Sequence, residues 1–455
     1  MNRQKVSLTQ GPIWKAILFF AFPIFLGQVF QQLYNTFDAW CVGFFIGDNA
    51  MGAVTSSGSL IFLMVSFFNG LAMGAGVVIA RYFGARNDDA VSKTIHTAIA
   101  FGLCTGTALT IVGTTFTPII LRWMGIPEET MVYSIPYFRY YFCGAIFTVL
   151  YNIFVGIHHA VGDSKHPLYY LICSTMINVV LDLLFVGVLD FGVGAAALAT
   201  TISQGISALL CCIHLMRTHG PARLHLRKIR FHRNSLQEII RYGLPSAIQN
   251  SVIALANVVV QSNIFAFGPD AVNGCGAYSK LEGFAFLPVM CFSQSLSTFT
   301  GQNLGAKQHD RVKKGVGFGI VCSLVMAEVI GVLSYIFAPQ LIGFFAKSPA
   351  AIDFGTRHMR TICLFYCLLA FSHCIAGIMR GAGKAPVPMF TMLACWCVIR
   401  VSYITLAVKF VPELTTVSWA YPITWTLSSI VFLIYFLKAD WIHNFDRQEA
   451  KKANV

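Results

Sequence analysis

Long apolar runs follow one another along almost the whole chain, each interrupted by a short charged group or by Gly and Pro. Their approximate limits are 15–46, 49–80, 92–120, 130–157, 167–189, 193–217, 236–267, 271–303, 313–338, 354–380, 386–410 and 416–438. At 1.5 Å of rise per residue, about 20 apolar residues cross the roughly 30 Å of hydrocarbon in a bilayer. The pattern therefore predicts an all-α polytopic membrane protein with twelve transmembrane helices. The gaps between runs are too short for a soluble domain. Composition agrees: 56% of the 455 residues are hydrophobic and 11% are charged, against about 25% charged in soluble domains.

The first residues, "MNRQKVSLTQGPIWK", lead directly into the first run without an A-x-A-like site, which reads as a signal anchor and not a cleaved peptide. The 14 cysteines form no C-x-x-C pair and read as small packing residues.

Charge sets the expected orientation. With the N-terminus on the cytoplasmic side, the tails and the loops on that side hold 23 of the 32 Lys and Arg. The opposite loops carry Arg122 and Lys347, and acids that include Asp48, Glu128, Glu129, Asp190, Asp270, Asp353 and Glu413. This asymmetry predicts cytoplasmic termini. It turns the net charge of +13 towards the anionic inner leaflet and away from nucleic acid.

The chain repeats itself. "GARNDDAVSK" at 84–93 and "GAKQHDRVKK" at 305–314 share five of ten residues at an offset of 221. The same offset pairs "GIHHAVGDSKHP" with "GIMRGAGKAPVP", Arg139 with Arg360 and Gly47 with Gly268. "FAFP" at 20–23 meets "YGLP" at 242–245 after a one-residue shift. Six spans per half is an even number, so the halves enter the membrane the same way up, as parallel repeats. The expected division is an N-terminal lobe at 1–217, a basic cytoplasmic linker at 218–235, a C-terminal lobe at 236–440 and a cytoplasmic tail at 441–455. Two lobes with a cleft between them are the frame of an alternating-access transporter.

In this order, the Pro23 helix followed by Asp38, "GARNDDAVSK", "GDSKHP", "NVVLDLLFVG", "GLPSAIQNS" and "QNLGAKQHDRVKK" resemble the multidrug and toxin extrusion (MATE) family, nearest its bacterial DinF/MepA-like branch. The resemblance implies two six-helix bundles forming a V-shaped transporter. It implies a monomeric, ion-coupled antiporter in the cytoplasmic membrane of a bacterium. It would export organic cations and amphipathic drugs in exchange for H⁺ or Na⁺, with no other cofactor. It also implies bending of the first helix at Pro23, a residue that removes a backbone hydrogen bond.

Two acids stand inside apolar runs. Asp38 and Asp182 both begin an Asp-x-x-x-Val-Gly pattern, and both fall in the outer halves of their helices. A charged Asp deep in a membrane costs at least about 2.5 kcal/mol, so each needs a partner, a cavity or a proton. Two such acids side by side would bind one proton unusually well. Tyr34 and Asn178 lie one turn before them, and Thr200 and Asn152 offer further oxygens. Such oxygens suit Na⁺ or a proton relay. In the resembled family, residues matching Asp38, Asn178, Asp182 and Thr200 form the ion site of the N-terminal lobe. At the repeat offset Asp182 becomes Tyr403, and Asp38 becomes Val259 or Val260, which predicts an ion site in one lobe only.

The substrate cavity is expected to draw on Glu282, with Lys280 close enough to pair with it. Phe284, Phe286, Met290 and Met64 would supply adaptable apolar surface. Gln249, Asn250, Asn257 and Gln261 would form a polar stripe facing the cleft. Glu328 reads as buried or snorkelled, and Arg139 and Arg360 as structural. His158, His159 and His166 read as a solvated turn and not as a metal site. No Ser/His/Asp order, H-E-x-x-H or P-loop occurs, so neither an enzyme nor an ATP-driven pump is expected. A flippase for lipid-linked saccharides or another amphipathic metabolite is the alternative function.

Overall fold

The computed structural model describes residues 8–123 and 128–453, and every regular element among them is a helix. The side chains of Asp48 and Glu129, counted above as outer acids, lie outside the described residues. In chain order the first half comprises α1 (Ile13–Phe45), α2 (Asp48–Gly84), α3 (Asp88–Trp123), α4 (Glu128–Cys143), α5 (Ala145–Ala160), α6 (Lys165–Asp182) and α7 (Val193–Arg217). The second comprises α8 (Arg233–Phe265), α9 (Pro269–Gly305), α10 (His309–Ile336), α11 (Ala338–Gly343), α12 (Pro349–Cys363), α13 (Tyr366–Gly381), α14 (Pro386–Met392), α15 (Arg400–Phe410), α16 (Leu414–Lys438) and α17 (Asn444–Ala453).

Among the described residues, nine helices are long and apolar enough to cross a membrane, and two bent pairs bring the number to eleven. The remaining long helix, α9, is diluted by the run Ser293, Gln294, Ser295, Ser297, Thr298 and Thr300. Two predicted spans are not straight. Span 130–157 is broken into α4 and α5, bent by 47° at Gly144, and span 354–380 into α12 and α13, bent by 54°. Two others change pitch. A π-helical stretch, Leu183–Val188, follows α6 directly, and another, Leu393–Ile399, joins α14 to α15. Pro23 lies inside α1, which is helical on both sides of it.

The repeat is visible in the backbone. Helices α1 and α8 each have 33 residues, and α2 and α9 each have 37. The "GAR" and "GAK" motifs both end a helix with a left-handed residue, Arg86 at φ 55° and Lys307 at φ 56°. Each is closed by paired bonds. Asn87 N donates to Tyr82 O and Arg86 N to Phe83 O, while Gln308 N donates to Asn303 O and Lys307 N to Leu304 O. These are Schellman caps built without glycine.

The described residues form two compact units: 22–247, and 8–21 with 248–453. The cuts fall beside Pro23 and just after Pro245, not in the basic linker. That linker belongs to the first unit. Ala222 and Leu224 are buried in its core, Leu224 N donates to Leu215 O, and His225 N donates to His96 Nε2 at 3.1 Å. In the same unit α2 and the start of α8 touch through backbone. A Cβ added at Gly74 would lie 2.2 Å from Gly243 Cα, and one at Gly70 would lie 2.3 Å from Ala247 N. Small residues allow this approach where lipid offers no hydrophobic gain from helix association. In the second unit the N-terminal segment is fixed by Arg311, which donates to the carbonyls of Leu8, Gln10 and Gly11.

Candidate functional site

Asp38 on α1 and Asp182 at the end of α6 are both buried, and they are direct neighbours within the first unit. Asn178, one turn before Asp182, shares its face and is fully buried. Tyr34, one turn before Asp38, brings its hydroxyl beside Thr200 of α7 and close to both acids. The polar atoms are under-satisfied to an unusual degree. Asp38 Oδ1, both Asp182 carboxylate oxygens, both Asn178 amide atoms and the Tyr34 hydroxyl are buried and make no hydrogen bond of normal geometry. Thr200 Oγ1 returns to its own helix, donating to Ala196 O at 3.1 Å. Buried polar groups are nearly always bonded, so such a set invites a proton or a cation. Asp182 is also the last α-helical residue before the π-helical stretch, a distortion frequent at functional sites.

Two residues missed in the sequence reading join the site. Tyr137 and Tyr141 on α4 stand beside Asp38. Their one-turn spacing in "YFRYY" placed them on one face, but nothing in the pattern turned that face towards α1. Asn152 turns its amide to Thr148 O at 2.9 Å and lines a cavity of about 10 Å³ with Met64, Phe68 and Tyr141, whose own neighbour is Asp38.

The second unit answers with different chemistry. Val260 and Ile404 are both buried in its apolar core, 222 residues after Asp38 and Asp182. That offset, not 221, aligns this part of the repeat, so Ile404 and not Tyr403 is the counterpart of Asp182. Arg400 takes the place of Asn178. It is buried, donates twice to Thr424 Oγ1 (2.9 and 3.2 Å) and lies 4.6 Å from the Tyr421 ring centre and 5.5 Å from that of Trp396. Glu282 is its electrostatic neighbour and accepts a hydrogen bond from Tyr278 at 3.0 Å.

The other expected cavity residues are not gathered around Glu282. Lys280 is exposed and stands over the Phe345 ring at 5.5 Å, so it is not the partner of Glu282. Gln249 is turned into the unit and reaches Met392 Sδ, Asn250 and Gln261 are half-buried, and Asn257 is exposed. Phe284 and Met290 are both exposed, six residues apart and so on different sides of α9. Phe286 packs edge-on against His373 at 4.8 Å. Glu328 is half-buried beside Cys363 and Cys367. Arg360 bonds Tyr335 O at 3.3 Å, and Arg139 is exposed.

The histidine turn also departs from expectation. His158 is buried, not solvated. Burial pushes the Asp163 carboxyl up, but hydrogen bonds and charge from His158 and His166 outweigh it and hold the group well below the usual carboxylate range.

A duplicated set of membrane-spanning helices with an unsatisfied acid pair in one copy is the frame of a multi-pass membrane transporter. The MatE family profile matches the chain at residues 23–184 and again at 245–406. The chain belongs to this family, the MATE transporters. It is 27% identical over 433 residues to a probable multidrug resistance protein, YoeA, of Bacillus subtilis, covering 93% of each chain. It is 22% identical over 441 residues to the multidrug export protein MepA of Staphylococcus aureus, covering 96% of this chain and 97% of MepA. A solved structure described as an outward-facing multidrug resistance MATE transporter superposes with a TM-score of 0.91 at 23% identity, over 97% and 99% of the two chains. A transporter from Pyrococcus furiosus, described as having a binding pocket of reversed polarity that suggests a different function, superposes at 0.89 with 23% identity, over 96% and 97%.

Proposed function

We propose that this transporter is an antiporter that exports organic cations and amphipathic compounds from the bacterial cytoplasm, with H⁺ or Na⁺ as the coupling ion. Its termini face the cytoplasm and it sits in the inner membrane. The observation that carries the reading is the pair Asp38 and Asp182, buried side by side with three carboxylate oxygens unbonded. Two charges so placed repel and are poorly solvated. Binding one cation or one proton relieves both costs, so coupling ion and cationic cargo compete for the same pair. Cargo loading expels the ion, and ion loading expels the cargo. Tyr34, Asn178 and Thr200 supply neutral oxygens that can complete a Na⁺ shell or hydrogen-bond a shared proton. The family relatives named for multidrug resistance and export support the choice of cargo.

The test is transport of a fluorescent organic cation into or out of vesicles of fixed protein orientation, under a pH gradient or a Na⁺ gradient imposed separately. The reading expects one gradient to drive transport and Asp38→Asn or Asp182→Asn to abolish it. Transport by both variants at the wild-type rate would move coupling elsewhere. Absence of cation transport under either gradient would favour the flippase.

A further inference from the structure

The end of α5, the following turn, the start of α6 and the end of α7 bring three imidazoles around one carboxylate. Gly162, at φ 84°, reverses the chain after α5 and places Asp163 back over the helix end, where Asp163 N donates to His158 O at 2.9 Å. Asp163 Oδ2 then lies 3.2 Å from His158 Nδ1, 2.8 Å from His166 Nδ1 and 3.7 Å from His214 Nε2. The His166 and His214 rings are 4.0 Å apart, centre to centre. The other nitrogen of His214, Nδ1, is 2.9 Å from the Tyr170 hydroxyl. His158 is held from one side only, because its Nε2 is buried and makes no hydrogen bond.

The repeat supplies a control. The second unit builds the same turn, with Gly383 at φ 73° and Lys384 N donating to Met379 O at 2.7 Å. At the repeat offset the four cluster residues are there Met379, Lys384, Val387 and Tyr435. The turn therefore needs none of the histidines and no carboxylate, and the cluster in the first unit has to be explained by something other than backbone geometry.

We propose that His158, Asp163 and His214, with His166 as a fourth ligand, bind a divalent transition-metal ion of the Zn²⁺ type. Three imidazoles and a carboxylate match the donor preference of Zn²⁺ and its neighbours, not that of Mg²⁺ or Ca²⁺. Ligand bonds of about 2.0–2.2 Å in a tetrahedron set donor atoms about 3.3–3.5 Å apart, and the three nitrogens stand 2.8–3.7 Å from Asp163 Oδ2. The donor atoms of His158, Asp163 and His214 all lie within 4.8 Å of one another, and His166 Nδ1 meets the same carboxylate from the exposed side, 2.9 Å from Oδ1 and 2.8 Å from Oδ2. With a metal on Nε2, His214 Nδ1–H would donate to the Tyr170 hydroxyl 2.9 Å away, the outer hydrogen bond that most ligating histidines make. His166 is 44% exposed and provides the route of entry. A bound ion would tie the turn between α5 and α6 to α7.

The experiment uses the full chain, purified in detergent and stripped with a chelator. Zn²⁺ is titrated by equilibrium dialysis, and Co²⁺ by its visible d–d absorption. Wild type is expected to bind one ion per chain with a tetrahedral Co²⁺ spectrum. Binding should weaken at least tenfold in His214→Gln and in His166→Gln and persist in the surface control His219→Gln. His166 is partly exposed, so its variant reports even if a buried substitution prevents folding. No binding by wild type at about 100 μM Zn²⁺, or equal binding by wild type and His166→Gln, would overturn the proposal.

Discussion

Asp182→Asn separates stability from transport. The side chain is fully buried, borders Asp38, and has both carboxylate oxygens unbonded. Asparagine keeps its shape and removes its charge. The charge itself carries two costs. Placing a carboxylate in the membrane interior costs at least about 2.5 kcal/mol. A neighbouring carboxylate at about 4 Å adds about 4 kcal/mol of repulsion at an effective dielectric constant of about 20. Proton or ion binding already relieves part of this in the wild type. The net gain from Asp182→Asn is therefore expected at about 1–4 kcal/mol. The new amide keeps Asn178 as its neighbour. The variant should unfold several degrees above the wild type in detergent and lose gradient-driven cation transport in vesicles. A lower unfolding temperature would refute the reasoning, because it would show that the carboxylate holds the helices together. A stabilised variant that still transports would refute the coupling role alone.

Three other substitutions probe the fold and the second unit. Gly74→Ala places a methyl 2.2 Å from Gly243 Cα and should cost about 1–3 kcal/mol by overpacking, read as lower folded yield and unfolding temperature. Gly76→Ala, whose methyl would meet Gly156 O at 3.5 Å, should be tolerated. Arg400→Ala removes a buried cation that bonds Thr424 Oγ1 twice and neighbours half-buried Glu282 and should destabilise by about 1–3 kcal/mol. Adding Glu282→Gln to that variant should restore part of the loss in a double-mutant cycle, and strict additivity would show that the two do not interact. Arg86→Gly relieves a left-handed residue at a helix end and should stabilise by about 1 kcal/mol in thermal unfolding.

The spans were legible because membrane crossing is a requirement on length and apolarity, and both can be read locally. The bends at Gly144 and between α12 and α13 were not, because hydropathy carries no information on axis direction. The acids stood out for the same reason that they are costly, since nothing else in "NVVLDLLFVG" is charged. Their neighbours on α4 were harder to find, because Tyr137 and Tyr141 look like ordinary core aromatics until the facing helix is known. His214 illustrates the same limit. It lies 48 residues beyond His166 in the chain, and only the packing of α7 against α6 shows that one carboxylate serves both. The repeat was detectable, but a one-residue shift within it moved the counterpart of Asp182 from Tyr403 to Ile404, and each such step turns a helical side chain by about 100°.

The division of the chain at Pro23 and Pro245 also orders its biogenesis. The second unit includes residues 8–21, and the first is completed only by residues up to 247. The ribosome delivers those two pieces in the wrong order for folding one unit at a time. Residues 8–21 leave first, yet their partners begin at residue 248. At about 5–20 residues per second, the intervening stretch takes on the order of ten to forty-five seconds to synthesise. During that interval the start of α1 sits in the membrane without its own unit. Insertion machinery or lipid has to shelter it, and substitutions there should reduce yield during synthesis before they affect the finished transporter.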